Sequence, residues 1–409
     1  MNKTISTKQK EWLHTASVAG LLVAATLANA AEPAPVVNVG GTKISIYGIA
    51  QLDAAYEDSK SNNGNLANLV NKSDLQNEND AGWYLTANHT RLGLNLDGPN
   101  DGTFVNVSGK VEFDFYGGGT EVNPVVRLRH GYGQVAVPSA GFTILGGQTW
   151  DIISPLNPPT ANAGSLNNSG NLGARRPQLR LSEKIPVGTG SLDIVAGVVR
   201  TVGSTQPYVT NSASETGSDA DIPTFQGRIG VSLPLWVEKQ TLNLGVSGHW
   251  GQEEIDLDSV GDTKNLSTWS ANVDLEIPVL SNLSLVGEGF LGQNLDAYAG
   301  NIGQGFTTAT DRDDTKNVEG YGAWGALRFK PVSALALNLG GGIDKVKRSS
   351  ITVGSKEQNI SGFVNAFYNI TPAFKVGVEY FRIQTDYLLA GDVGEATLNR
   401  EQVVLSYSF

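Results

Sequence analysis

Seven basic residues between positions 91 and 228 fall on the same face of their expected β-strands, as the two-residue alternation of a strand indicates. They are Arg91, Lys110, Arg127, Arg129, Arg176, Arg180 and Arg228. A guanidinium group presents a planar pair of donors that can bind a carboxylate or phosphate through two hydrogen bonds. If neighbouring strands present these residues on one face, the pattern predicts a basic stripe that attracts small anions. Alternatively, the arginines pair with Glu112, Asp114 and Glu183 and only fill the interior of the fold.

The strands that position these cations are indicated by alternating polarity. In residues 105–115, valine and phenylalanine alternate with Asn106, Ser108, Lys110, Glu112 and Asp114. Successive side chains of a strand point to opposite faces of a sheet, so one face is apolar and the other carries the charges. A soluble β-sandwich can show the same alternation.

Turn signals divide the sequence regularly. Tight connections rich in Pro, Gly or Asn are expected at 97–103, 137–142, 184–191, 233–240, 277–282, 330–335 and 369–374. Longer polar segments are expected at 57–82, 117–124, 150–173, 203–221, 252–265, 294–316, 346–357 and 388–394. Seven short and eight long connections predict an all-β fold, a 16-stranded antiparallel transmembrane β-barrel with short periplasmic turns and long extracellular loops.

Tryptophan positions fit the membrane interfaces of such a barrel. Trp83, Trp150, Trp250, Trp269 and Trp324 are expected where strands meet the long loops, as an outer aromatic belt. Trp236 falls in a short turn and is expected in the inner belt.

The N-terminus resembles a secretory signal. Lys3, Lys8 and Lys10 precede an apolar run at 18–27, and Ala28-Asn29-Ala30 provides small residues for cleavage. The run is shorter than the roughly twenty residues that a spanning helix needs. We therefore expect a signal peptide at 1–30, export from the cell interior, and one barrel domain at 31–409.

Composition argues against several other functions. The chain has no Cys, four His and a formal net charge of −11. An acidic protein binds nucleic acid poorly, because both carry negative charge. No spacing typical of a metalloprotease or serine hydrolase is present. We expect no enzyme activity, no catalytic residues, no cofactor and no metal site. The acid-rich segments 253–258 and 311–314 lack calcium-loop spacing and are expected to be solvated loops.

The segment 150–173 differs from the other long connections. It carries almost no charge beyond Asp151 and contains Pro155, Pro158 and Pro159 together with small apolar residues. A loop that folds inward against the wall has this character, so we expect a constriction loop beside the arginines. Alternatively, it is an external loop packed at a subunit contact.

Several segments resemble Gram-negative outer-membrane porins, both the general trimeric porins and the DcaP-like porins. They are IYGIAQLDAAY at 46–56, HTRLGL at 89–94, GKVEFDF at 109–115, RLRHGY at 127–132 and GGQTW at 146–150. The chain also ends in an alternating strand with a terminal Phe409, which in such barrels pairs with the first strand. The resemblance implies a sixteen-stranded homotrimer, and it carries Arg91, Arg127, Arg129, Arg176 and Arg180 over as pore residues.

The resemblance and the residues together lead us to expect a porin of the bacterial outer membrane. Its expected role is passive diffusion of small hydrophilic solutes, with a preference for anions such as dicarboxylates. Its expected partners are those solutes, outer-membrane lipid, lipopolysaccharide and further copies of itself, with no nucleic acid. Two alternatives are a structural or adhesin barrel, including a barrel partner in a larger envelope complex, and an outer-membrane barrel hydrolase.

Overall fold

The structure, a computed structural model, describes most of the chain. The described residues are 35–72, 80–99, 104–118, 124–203, 217–235, 237, 240–258, 261–307 and 311–409. The signal peptide expected at 1–30 and Trp236 lie outside these residues. Among the described residues, no helix is long and apolar enough to cross a membrane.

In the described chain, sixteen antiparallel strands form one closed barrel, and a short strand, Val36–Val39, pairs with the start of the first. They are β1 (Thr42–Glu57), β2 (Gly82–Thr86 and Arg91–Asp97), β3 (Asn106–Asp114), β4 (Arg127–Val137), β5 (Phe142–Trp150), β6 (Arg175–Val187), β7 (Gly190–Val199), β8 (Thr224–Pro234), β9 (Thr241–Asp256), β10 (Thr263–Leu280), β11 (Leu283–Gln293), β12 (Glu319–Val332), β13 (Leu335–Val346), β14 (Lys356–Asn369), β15 (Phe374–Leu389) and β16 (Asp392–Ser408). Each strand pairs with the next along the chain. The predicted fold class is therefore confirmed.

The strands extend further into some connections than the sequence indicates. β9 continues through Asp256 and β10 begins at Thr263, so much of the segment expected as a loop at 252–265 is hairpin. Likewise β15 and β16 leave only a tight turn within the predicted segment 388–394. Both segments are polar because they leave the apolar band, and polarity alone does not distinguish an extended hairpin from a loop.

The last strand closes the barrel on the first. β1 residues 49–57 pair with β16 residues 400–408. The terminal Phe409 exchanges two backbone hydrogen bonds with Gly48, at 2.9 and 3.1 Å. A Cβ added to Gly48 would lie only 2.4 Å from Cζ of the Phe409 ring. A glycine at this position therefore lets the terminal aromatic ring pack flat on the seam.

A band of exposed apolar side chains surrounds the outside of the barrel. Its members alternate with inward polar residues, and they include Leu92, Leu179, Leu244, Val273, Leu339 and Val403. Trp83 and Trp250 are also exposed, at 70% and 52%. The prediction of an outer belt is wrong for Trp324, which is buried and donates from Nε1 to Glu288 inside the barrel. Trp150 lines an interior cavity.

Of the apolar clusters inside the described barrel, the one with the most residues lies on one side of the interior. Inward residues of β11, β12 and β14–β16 form a cluster with three loop residues, Ala67, Val70 and Leu166. The inward members are Val286, Trp324, Ala326, Phe363, Phe381, Ile383, Ala396 and Leu398. Burying a large apolar side chain stabilises a fold by about 1.5–3 kcal/mol. This packing fixes the loops against the far wall and leaves the space beside β1–β6, where the arginines lie.

Candidate functional site

The loop 151–174 leaves the end of β5 and crosses the inside of the barrel. Near its start, Ile152 donates its backbone N–H to Gln226 of β8 at 2.8 Å. Ser247 of β9 donates to the carbonyl of Ile153 at 2.8 Å. Further along, Ser169 and Ser361 of β14 share a hydrogen bond of 2.7 Å between their hydroxyls. The loop therefore contacts the wall opposite its own strand and does not extend outward.

Two buried carboxylates hold the first half of this loop. Glu288 accepts from Ser154 Oγ at 2.5 Å and from the backbone N–H of Leu156 at 2.8 Å. Glu379 accepts from the backbone N–H groups of Ala161 and Asn162, each at 2.7 Å. Charge-assisted hydrogen bonds are shorter and about twice as strong as neutral ones. The sequence did not predict a role for these two residues. Alternation along a strand shows that a side chain points inward, but it does not show that a loop will donate hydrogen bonds to it.

The second half of the loop is held by close backbone approach. Gly170 has a φ of +97°, and an added Cβ would lie 2.2 Å from the carbonyl oxygen of Ala323. Asn359 of β14 donates to the carbonyl of Asn168 and to Ser169 Oγ, at 2.9 and 2.7 Å. The loop is therefore fixed along its whole length.

Between the loop and the wall formed by β2 and β4–β6 lies a cavity of about 460 Å³, here named the outer cavity because it lies toward the long loops. Its charged and aromatic lining consists of His89, Arg91, Tyr116, Arg127, Arg129, Trp150 and Arg175. The loop contributes only uncharged residues, among them Asn157, Thr160, Asn162 and Asn167. The lining contains no carboxylate among the described residues.

Arg127 and Arg129 are brought together but are paired with acids. Arg127 donates from Nε and Nη2 to Asp114 at 2.9 and 2.6 Å. Arg129 donates to Glu112 at 2.5 Å and to Asp114 at 2.8 Å. Asp114 is fully buried behind the two guanidinium groups. These two arginines therefore pair with acids inside the fold, as the alternative interpretation of the sequence expected. Their guanidinium groups face the cavity and the carboxylates lie behind them.

Arg91 has no carboxylate partner among the residues that the structure describes. Its Nη2 lies 3.0 Å from His89 Nε2, and its buried Nε has no hydrogen-bond partner among the described atoms. The amide Nε2 of Gln51, which like the guanidinium can only donate, lies 3.0 Å from the other ring nitrogen of His89, Nδ1. That atom lies 3.6 Å from Asp53 Oδ2. Asp53 also accepts from Gln51 and Gln402, so its charge is shared among several donors.

Two further cations near the loop were not predicted from the sequence. Arg175 stacks on the Trp150 ring, with Cζ 4.3 Å from the ring centroid. Lys375 of β15 lies 5.3 Å from the centroid of Phe367 and lines a second cavity. Within the described chain, neither side chain has a carboxylate within 4 Å. Inward parity with Glu379 could have identified Lys375, whereas alternation places Arg175 on the same face as exposed Leu179 and so could not have identified it.

The remaining predicted residues lie inside the barrel but outside these cavities. Arg228 pairs with Asp274 at 2.6 and 2.8 Å, and Lys110 Nζ lies 3.9 Å from Glu112. Arg180 donates to the carbonyl of Trp150 at 2.5 Å. Arg176 is 2% exposed and bridges loop 151–174 to loop 294–318. It lies 3.4 Å from Asp151, donates to the carbonyl of Ala297, and covers the Tyr298 ring at 3.8 Å.

Two loop tyrosines remain neutral in this basic setting. Burial raises the pKa of Tyr116, which lines the outer cavity, and nearby Asp53 and Asp114 raise it further. Burial also raises the pKa of Tyr298, against the opposing effect of Arg176. Both therefore contribute hydroxyl groups and no negative charge. In the part of the chain that the structure describes, no group of three or more acidic, His or Cys side chains could hold a metal ion.

The fold is that of bacterial outer-membrane channels. The structure of the outer-membrane channel DcaP of Acinetobacter baumannii aligns with a TM-score of 0.73 at 19% identity, over 91% of this chain and 99% of that one. OmpF of Salmonella typhi aligns at 0.54 and 13% identity, over 92% and 100%. OmpT of Vibrio cholerae, in its trimer form, aligns at 0.51 and 10% identity, over 90% and 100%. No family model and no curated protein matches the sequence.

Proposed function

We propose that this protein is a porin of the bacterial outer membrane, a passive diffusion channel that favours small anions. One observation carries the proposal. The outer cavity and the adjoining smaller cavity are lined by five cations, Arg91, Arg127, Arg129, Arg175 and Lys375, and by no carboxylate among the described residues. The acids that neutralise Arg127 and Arg129 lie behind them, whereas Arg91, Arg175 and Lys375 have no carboxylate partner in the described part of the chain.

In a narrow passage three cations can favour anions even though the whole chain has a net negative charge. At about 10 Å and an effective dielectric constant of about 20, one unit charge changes the energy of an ion by about 1.5–2 kcal/mol. Exposed carboxylates on the outer loops act through salt solution, where screening reduces their effect beyond roughly 8 Å. The uncharged loop 151–174 adds amide and hydroxyl groups without opposing the cations. These features favour anions such as carboxylates at the constriction.

The location in an outer membrane and a trimeric assembly belong to the same proposal. The exposed apolar band is suited to lipid, and sixteen strands closed without an edge satisfy every backbone group in it. Across β11–β16 and β1 the outer face holds a groove of about 1020 Å³, whose lining includes Tyr56, Leu339, Val364 and Val403. A neighbouring copy fits this face. Native mass spectrometry of the detergent-solubilised protein should show trimers, and monomers alone would remove this part of the proposal.

The channel activity is tested with purified protein in a planar bilayer. A porin gives stepwise conductance by itself, whereas a structural barrel or a hydrolase adds no water-filled steps. Arg175→Gln should then reduce the chloride-to-potassium permeability ratio several-fold, because it removes an uncompensated charge. Lys345→Gln is the matched control, since Lys345 alternates with buried Asp344 and Val346 and so faces outward on β13. An equal change in both variants would contradict the assignment of Arg175 to the passage.

A further inference from the structure

A second, smaller cavity adjoins the outer cavity on the side of the short turns and is here named the inner cavity. It has a volume of about 190 Å³. His89, Arg91 and Thr160 line both cavities. A solute that passes from one cavity to the other would therefore pass these three side chains.

The inner cavity has a different chemistry from the outer one. Its polar side consists of Gln51, His89, Arg91, Thr160 and Lys375. Its apolar side consists of Ile49, Ala161, Phe367 and Val404. The outer cavity is lined mainly by Arg, Asn, Ser and Gly. The inner cavity thus combines a compact apolar surface with two cations that form no ion pair with a described residue.

Local backbone packing holds that apolar surface in place. The Phe367 ring lies over Gly377 of the neighbouring strand, where an added Cβ would be 2.5 Å from Cδ1 of the ring. The two residues are direct cross-strand partners. Lys375, two residues before Gly377, extends over the same ring. The glycine therefore lets the aromatic face and the ammonium group lie side by side.

We propose that the inner cavity is a binding site for small monocarboxylates with a compact apolar body. In this site Arg91 and Lys375 bind the carboxylate, and Phe367, Ile49 and Val404 contact the apolar part. The inference rests on the proposed anion channel and narrows its substrate class.

Benzoate and acetate test this site, because they carry the same charge and differ in apolar surface. Each is titrated against the chloride conductance of single channels in a planar bilayer. Benzoate should reduce the current at a concentration at least tenfold lower than acetate does. Lys375→Gln should weaken the effect of benzoate about tenfold or more, as expected for loss of a charge-assisted contact. Phe367→Ala should weaken benzoate and leave acetate unchanged.

The matched control is Arg382→Gln. Arg382 lies on the same strand as Lys375 but on the opposite, exposed face, so the substitution should leave the response to benzoate unchanged. Equal potency of benzoate and acetate in a conducting, anion-selective channel would overturn the site and leave the proposed function intact. Absence of conductance would contradict the proposed function instead. Line broadening of 4-fluorobenzoate by solubilised wild-type protein, absent with Lys375→Gln, then tests the site independently of conduction.

Discussion

The substitution Glu379→Gln tests how the constriction is held. Glu379 accepts hydrogen bonds from the backbone of Ala161 and Asn162 at 2.7 Å and from Asn365 Nδ2 at 2.8 Å. A hydrogen bond to a charged group contributes about 1.5–3 kcal/mol. Glutamine keeps one acceptor oxygen, loses the charge and turns an amide N–H₂ toward a backbone donor. We expect the attachment of 160–162 to weaken by about 2–4 kcal/mol.

This loss corresponds to a roughly 30- to 700-fold rise in the ratio of displaced to attached loop. Thr160, next to the clamped residues, lines both cavities, so displacement widens the passage. Glu288 still holds Ser154 and Leu156, so the loop should stay inside the barrel. Single-channel recordings should therefore show a second, higher conductance level and more open-channel noise.

The same substitution at Glu288 is the control. Glu288→Gln removes an equivalent clamp, but Ser154 and Leu156 do not line either cavity. We expect it to lower thermal stability without a new conductance level. Folding of both variants is checked by the mobility of unheated protein on denaturing gels. The proposed role of Glu379 would be refuted if the folded Glu379→Gln variant conducted like the wild-type protein. It would also be refuted if both variants showed the same new conductance level.

Three further predictions concern the charges, the seam and the loop. Replacing both Arg127 and Arg129 by Ala exposes the carboxylates that they now cover. The reversal potential should therefore shift toward cation selectivity by more than in either single variant. An unchanged reversal potential would mean that these arginines do not contribute to ion selectivity. Arg400→Ala leaves its buried acidic partner on β1 unpaired at the seam, and we expect a loss of about 3–5 kcal/mol in a denaturant titration; a loss below 1 kcal/mol would contradict this role. Gly170→Ala should raise conductance noise because the loop must move away from β12, whereas Gly188→Ala, also at positive φ but with nothing within 4 Å, should not; noise from both would indicate backbone strain alone.

The sequence was sufficient to predict the barrel because alternation and turn residues are local properties. Each such signal depends on a few neighbouring residues, as in the apolar face at 105–115, the tight turns and the terminal Phe409. Strand alternation recurs along the chain, so many weak local signals together indicate the barrel. Strand ends were less accurate, as β9 and β10 show. Their outer portions continue as a polar hairpin, and hydrogen bonding rather than polarity decides where such a hairpin stops.

The site was predicted only in part because its contacts are non-local. Parity placed Arg127 and Arg129 on the inner face, but whether they pair with Glu112 and Asp114 depends on the register of two strands. The inward apolar residues of β14–β16 were also missed. Alternation shows which residues share a face, and it does not show that a loop such as 151–174 will cover that face.

The most direct test of the proposed function is the reversal potential of the purified wild-type protein in a planar bilayer under a potassium chloride gradient. We predict stepwise channels with a reversal potential of the sign set by chloride, since Arg91, Arg175 and Lys375 face the passage without acidic partners among the described residues. The preference should weaken as salt rises, because screening shortens the reach of these charges. Channels that select potassium at low salt would contradict the assignment of an anion-selective passage.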